Sequence, residues 1–163
     1  MPTVSNSSPV FNLACIERLN LLHEQFGDVW IPQAVEAELR NVPDRAVGRR
    51  IEQAQQAGWL KSRSATNATL VNLLTLELHL GEAEAIALAL EMKADHVLID
   101  ERDGRALARQ LGLRLTGVLG VLLRGKKMGR VQSIKSEIEA LRMKAHFFIA
   151  PALQAAILTQ VGE

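Results

Sequence analysis

The stretch GEAEAIALALEMKADHVLIDERDGRALARQLG, residues 81–112, constrains the fold more than any other part of the chain. Within it HVLID, 96–100, is a continuous apolar strand of the type buried on both faces, ending at Asp100. Helical segments flank it. Acidic residues open the first, where the helix dipole favours them, and Gly112 closes the second as its C-cap. A strand covered on both faces between two helices belongs to a parallel sheet with helices above and below.

The same alternation runs through the chain. PTVS, 2–5, predicts a short strand, and Pro9 then marks a first helical turn with Ser7 or Ser8 as N-cap. Helical spacing of apolar residues predicts one helix over 10–26, stopped by Gly27. DVWIP, 28–32, reads as a second strand, followed by a helix from Ala34 and another over 43–57. A third strand and a polar loop are expected within 58–66, and a leucine-rich helix over 70–80 ending before Gly81. LRLTG, 113–117, is a further strand; VLGVLLRGKKMG and SIKSEIEALRMKA are helices; the tail adds a short extended piece and a last helix from Pro151. The expected class is α/β, and ligands of such sheets bind at the carboxyl ends of the strands, where Asn6 and Asp100 fall.

Composition narrows the function. At 163 residues and 48% hydrophobic the chain has the size of one domain with a real core. Aromatic residues make up 4%, with no tyrosine, which argues against an interleaved stacking platform for single-stranded nucleic acid. Cys15 is the single cysteine, which excludes an internal disulfide and a Cys-rich zinc site and fits a reducing, cytoplasmic setting. No run of about 18 apolar residues predicts a membrane span. The net charge of +1 hides an uneven distribution: residues 1–100 carry −5 and residues 101–163 carry +6. That pattern suits a carboxylate cluster beside a phosphate-attracting surface, and equally suits ordinary solvated helix faces.

Candidate chemistry rests on Asn6, Glu38, Glu82, Glu84, Asp100 and Asp103. Hard divalent cations take several oxygen donors from separate elements, and these positions offer them. Each also has a plainer explanation as a surface charge, a dipole partner or a cap. Nucleophile elbows, Walker loops and paired zinc-binding histidines are absent from the sequence.

TVSNSSPVFNLACIERLNLL, VWIPQAVEAELR and LGEAEAIALALEMKADHVLIDERDGRALARQLGLRLTGVLGVLLRGKKMG together resemble the PIN-domain superfamily over about residues 3–150, and in particular its prokaryotic toxin-like, nucleic-acid-binding branch. The resemblance implies a three-layer α/β/α sandwich with a mainly parallel sheet, in a single PIN-like domain over 1–163 with the last helix, 151–163, as an appendage. It further implies Mg²⁺ or Mn²⁺ held by acidic residues, hydrolysis of single-stranded RNA, a cognate antitoxin protein where such a chain is a toxin, and a homodimer. Carried over by position, the first acid falls on Asn6, the second on Glu38, the third on Glu82 or Glu84 with the register favouring Glu82, and the fourth on Asp100 or Asp103. Ser7 or Ser8 takes the hydroxyl position beside the first. Arg102, Arg105, Arg124, Lys126 and Lys127 are the expected attractors of RNA phosphates. Asn6 departs from the family's aspartate and replaces a charged ligand by a neutral carbonyl oxygen. The alternative expectation is therefore a weakened or inactive module that binds RNA or a partner protein without cutting.

Overall fold

The computed structural model describes residues 2–163. Five short strands, β1 (Thr3–Ser5), β2 (Val29–Ile31), β3 (Leu60–Ser62), β4 (His96–Leu98) and β5 (Leu115–Thr116), form one parallel sheet in the order β3-β2-β1-β4-β5. Ten helices pack around it: α1 (Ser7–Cys15), α2 (Asn20–Phe26), α3 (Gln33–Arg40), α4 (Arg45–Gln56), α5 (Ala68–Leu74), α6 (Leu80–Glu91), α7 (Arg102–Gln110), α8 (Val118–Lys127), α9 (Ile134–Ala145) and α10 (Pro151–Gln160).

Side chains alternate across each strand, so the sheet feeds two cores. Val29, Ile31 and Leu98 join Leu13, Leu22, Leu122 and Ile138 on one face. Val4, Val97 and Ile99 join Ile86, Leu88 and Ala108 on the other. The result is the three-layer α/β/α sandwich. Helix α6 is buried from Gly81 to Ala89 apart from Glu84, because it packs against β1, β4 and three neighbouring helices. Its small alanines allow those close approaches.

Three expected boundaries differ. The helix read over 10–26 is two, separated at Glu17, whose φ of 61° puts a non-glycine residue in the left-handed region. Asn6, not Ser7 or Ser8, stands at the N-cap of α1. The leucine-rich helix ends at Leu74, and α6 begins at Leu80, so Gly81 lies inside the first turn of α6 and does not end the preceding helix.

The strand order fixes where a site can form. Strands β1, β2 and β3 run outward in one direction, and β4 and β5 then occupy the opposite side of β1. Connections diverge at the carboxyl ends of β1 and β4, which opens a crevice there.

Candidate functional site

Asn6 and Glu101 meet in this crevice. The backbone N–H of Asn6 donates to the Leu98 carbonyl at 2.9 Å, tying the end of β1 to the end of β4. Asn6 is the N-cap of α1 and Glu101 that of α7, yet neither side chain caps its own helix. Instead Asn6 Nδ2 donates to Glu101 Oε2 at 3.0 Å. Asn6 is only 2% exposed, and its Oδ1 has no hydrogen-bond partner among the described residues. Leaving a buried acceptor unpaired costs about 1–3 kcal/mol, so this oxygen is held ready for a donor or a cation.

Gly81 makes room beside it. A Cβ at this position would lie 2.7 Å from Glu38 Oε1 and 3.3 Å from Asn6 Oδ1, so the glycine lets these two oxygens converge over the first turn of α6. Glu38 stands near the end of α3, and Ser7 Oγ donates to its Oε2 at 2.5 Å. The Ser8 hydroxyl donates to Glu101 Oε1. Two hydroxyls and one amide therefore hold two carboxylates in place. That is the physical use of the NSS sequence at 6–8.

Glu82 is 5% exposed and faces α7, where its Oε2 lies 2.7 Å from the position of a Cβ on Gly104. Burial pushes its pKa up, the negative charges of Glu101 and Asp103 push it the same way, and His79 opposes them. Glu82, Glu101, Arg102 and exposed Asp103 line an open cleft of about 340 Å³. The acidic groups thus run from Glu38 through Asn6 to Glu101, and from Glu101 to Glu82 and Asp103.

The donor set fits a hard cation: it consists of oxygens, one neutral and the others acidic, with Asn6 Oδ1 free to coordinate. Among the described residues no three acidic, histidine or cysteine side chains converge on one point. The converging pair is Asn6 with Glu38, and Glu101 flanks it.

Other expected residues are placed elsewhere. Glu84 Oε2 accepts from the Ala34 N–H at 2.9 Å and so holds the start of α3, a full turn from Glu38. Asp100 turns toward α8. Its Oδ1 accepts from the Val118 N–H at 2.8 Å, and its Oδ2 accepts a long bond of 3.5 Å from Asn12. Burial raises the Asp100 pKa to about 6 and the Glu101 charge adds to this, against the Val118 N–H, Arg105 and Asn12. Lys126, expected to attract RNA, is paired with Glu163 at 2.8 Å. Arg105 donates to the Ile99 carbonyl at 2.8 Å, whereas Arg102, Arg124 and Lys127 are exposed. Sequence reasoning missed Glu101. Its signal was adjacency: two acids stand together in IDER, and the one that contacts Asn6 is the second.

No match is found among curated proteins. The family model DUF3368, described as PIN domain, matches residues 2–163 and thus includes α10. With five parallel strands in three layers and a crevice lined by Asn6, Glu38 and Glu101, the chain belongs to this PIN-domain family.

Proposed function

We propose that this PIN domain is a metal-dependent endoribonuclease acting on single-stranded RNA, with Mg²⁺ or Mn²⁺ held by Asn6 Oδ1 and Glu38, with Glu101 flanking them and with Glu82 and Asp103 lining the cleft beside it. The observation that carries the reading is the buried, unpartnered Asn6 oxygen converging with the Glu38 carboxylate over Gly81, at the switch point of the sheet. When bound, the ion supplies Lewis-acid stabilisation of the phosphate and acidifies water for attack. The chain's own groups keep the carboxylates oriented: Ser7 holds Glu38, and Ser8 and the Asn6 amide hold Glu101. Glu101 also supplies the negative charge that Asn6 lacks, bonded directly to the amide that replaces it. Arg102 at the rim attracts the phosphate backbone. A cognate antitoxin and a homodimeric state extend this reading; the neighbouring reading frames and the mass in solution test them.

The deciding experiment is cleavage of a mixed single-stranded RNA pool with Mn²⁺ by the protein, Glu38→Gln and Glu101→Gln. Cleavage by the native protein and its loss in both variants is the expected result. A second reading, an RNA-binding module that does not cut, is favoured by the neutral Asn6 and by carboxylates already engaged by serine hydroxyls. Silence of the native protein together with cleavage by Asn6→Asp would establish that reading instead.

A further inference from the structure

We propose that the cleft under residues 147–150 is a nucleobase pocket, which seats one nucleotide of single-stranded RNA against Phe148 and Arg124 beside the acidic crevice. The proposal deepens the ribonuclease reading and rests on it for the identity of the ligand.

The cleft has a volume of about 480 Å³, within the range of small-ligand sites. It opens at the same edge of the sheet as the crevice, since Thr116 and Gly117 at the end of β5 and Asp100 after β4 form its floor. Asp100 is the immediate chain neighbour of Glu101, so the pocket and the acidic groups leave the sheet at the same strand end, on opposite sides of the chain. A Cβ on Gly117 would fall 2.6 Å from Asp100 Oδ1 and 3.0 Å from Arg105 Nη1; the glycine keeps that polar floor open.

Its walls have the chemistry of a nucleotide site. The chain holds four phenylalanines, too few for an extended stacking platform, yet Phe26, Phe147 and Phe148 all line this one cleft. Phe148 is 82% exposed, a flat apolar ring left in water at the rim. The Arg124 guanidinium lies 5.7 Å from the Phe26 ring, which leaves a cation at the mouth where a phosphate would pass. Base stacking on an aromatic face is sequence-tolerant, and an arginine beside it adds a phosphate partner. On the floor Asp100 is engaged by the Val118 N–H and Asn12, while Arg105, bonded to the Ile99 carbonyl, keeps further N–H groups as donors to base edges. Arg124 forms no ion pair among the described residues, and an apolar protein segment over the cleft would leave its charge unmatched, which favours the nucleotide as occupant.

The test is fluorescence anisotropy with a short mixed-sequence oligoribonucleotide and an abasic strand of equal length, both in EDTA so that no cleavage intervenes. Phe148→Ala should weaken binding of the normal strand by about 5- to 100-fold and leave the abasic strand unchanged. Arg124→Gln should weaken both and reduce the salt slope by about 0.7. Phe148 is exposed, so its removal leaves the fold intact, and circular dichroism checks this. Equal binding of both strands by Phe148→Ala and the native protein would overturn the pocket. So would a Phe148→Ala variant whose only change is lost self-association in light scattering, which would make the patch a protein interface. A native protein that cleaves, with Glu38→Gln inactive and Phe148→Ala indistinguishable in binding, overturns the pocket alone. A native protein that binds neither strand overturns the pocket and the ribonuclease reading together.

Discussion

Asn6 performs two tasks that an aspartate could not combine. Its amide nitrogen donates to Glu101 while its oxygen stays free beside Glu38. Asn6→Asp would set two carboxylates 3.0 Å apart. In chelator at neutral pH this should cost about 1–3 kcal/mol of stability, and the loss should shrink as pH falls into the carboxylate range. Added Mn²⁺ should then raise the melting temperature of Asn6→Asp more than that of the native protein, because a ligand stabilises in proportion to its affinity for the folded state. Equal Mn²⁺ responses would mean that Asn6 is not at the ion. Asp100 gives a second, opposite test. Its folded pKa of about 6 exceeds its ordinary value of 3.8, so the folded chain binds this proton more tightly than the unfolded chain. Its contribution is full below pH 3.8 and is lost by about pH 6, up to ~3 kcal/mol in all. Asp100→Asn keeps an acceptor for the Val118 N–H and cannot ionise. Urea unfolding from pH 4 to 8 in chelator should therefore show a flatter stability profile for the variant, with the residual decline due to Glu82, whose pKa is also raised. A native profile that does not fall over this interval would sink the assignment.

Helix α6 brings the site together, and its sequence shows which parts could be read in advance. HVLID and its flanking helices were legible because local patterning and tertiary role agree: a run buried on both faces has to be apolar. Gly81 reads as the opening of a helix, but its reason for being glycine lies far away in sequence, in Glu38 and Asn6, and has no local signal. Glu101 was unreadable for a related cause. Adjacent residues leaving a strand point in different directions, so which acid of IDER faces Asn6 depends on how β4 pairs with β1. The break at Glu17 has no local signal, since no glycine or proline marks it. Gly81→Ala tests the element directly. Alanine should favour the helix by up to about 1 kcal/mol, while its methyl group displaces the carboxylate end of Glu38 from its exposed bond to Ser7, so stability should hardly change. Apparent Mn²⁺ affinity should fall by about tenfold or more, read as the shift in melting temperature with Mn²⁺ concentration. Glu84→Ala should do the reverse, losing about 1 kcal/mol of stability through the start of α3 while keeping the Mn²⁺ response. Reversed outcomes for the two variants would make Glu84, not Glu38, the metal-facing acid of this helix pair.

The charge asymmetry of the whole molecule takes on meaning only in three dimensions. Glu101 and Asp103 belong to the basic half of the sequence but join the acids of the first half in the crevice. Lys126 is in turn drawn off to Glu163, which leaves Arg124 at the mouth of the neighbouring cleft. The Glu163 carboxylate accepts from Lys126 Nζ, Ser133 Oγ and the Ile134 N–H, each at 2.8 Å, and from the Lys135 N–H at 3.2 Å. It thereby ties α8, the start of α9 and the end of α10 to one point, and α10 has a single buried residue of its own, Ile157. Lys126 and these N–H groups hold the Glu163 pKa down at about 2, below its ordinary 4.5. The clamp is fully present above pH 4.5 and is lost as pH falls toward 2. Glu163→Ala should speed amide hydrogen exchange at Ile134, Lys135 and along α10 at neutral pH. At about pH 2 native and variant should approach the same exchange once the intrinsic pH dependence is removed. Residues 147–150 lead directly into α10, so the loosened variant should also bind the oligoribonucleotide more weakly than the native protein, though less so than Phe148→Ala. If α10 exchanges unchanged in Glu163→Ala, the helix is anchored by Ile157 packing, and the carboxylate clamp has no part in shaping the cleft.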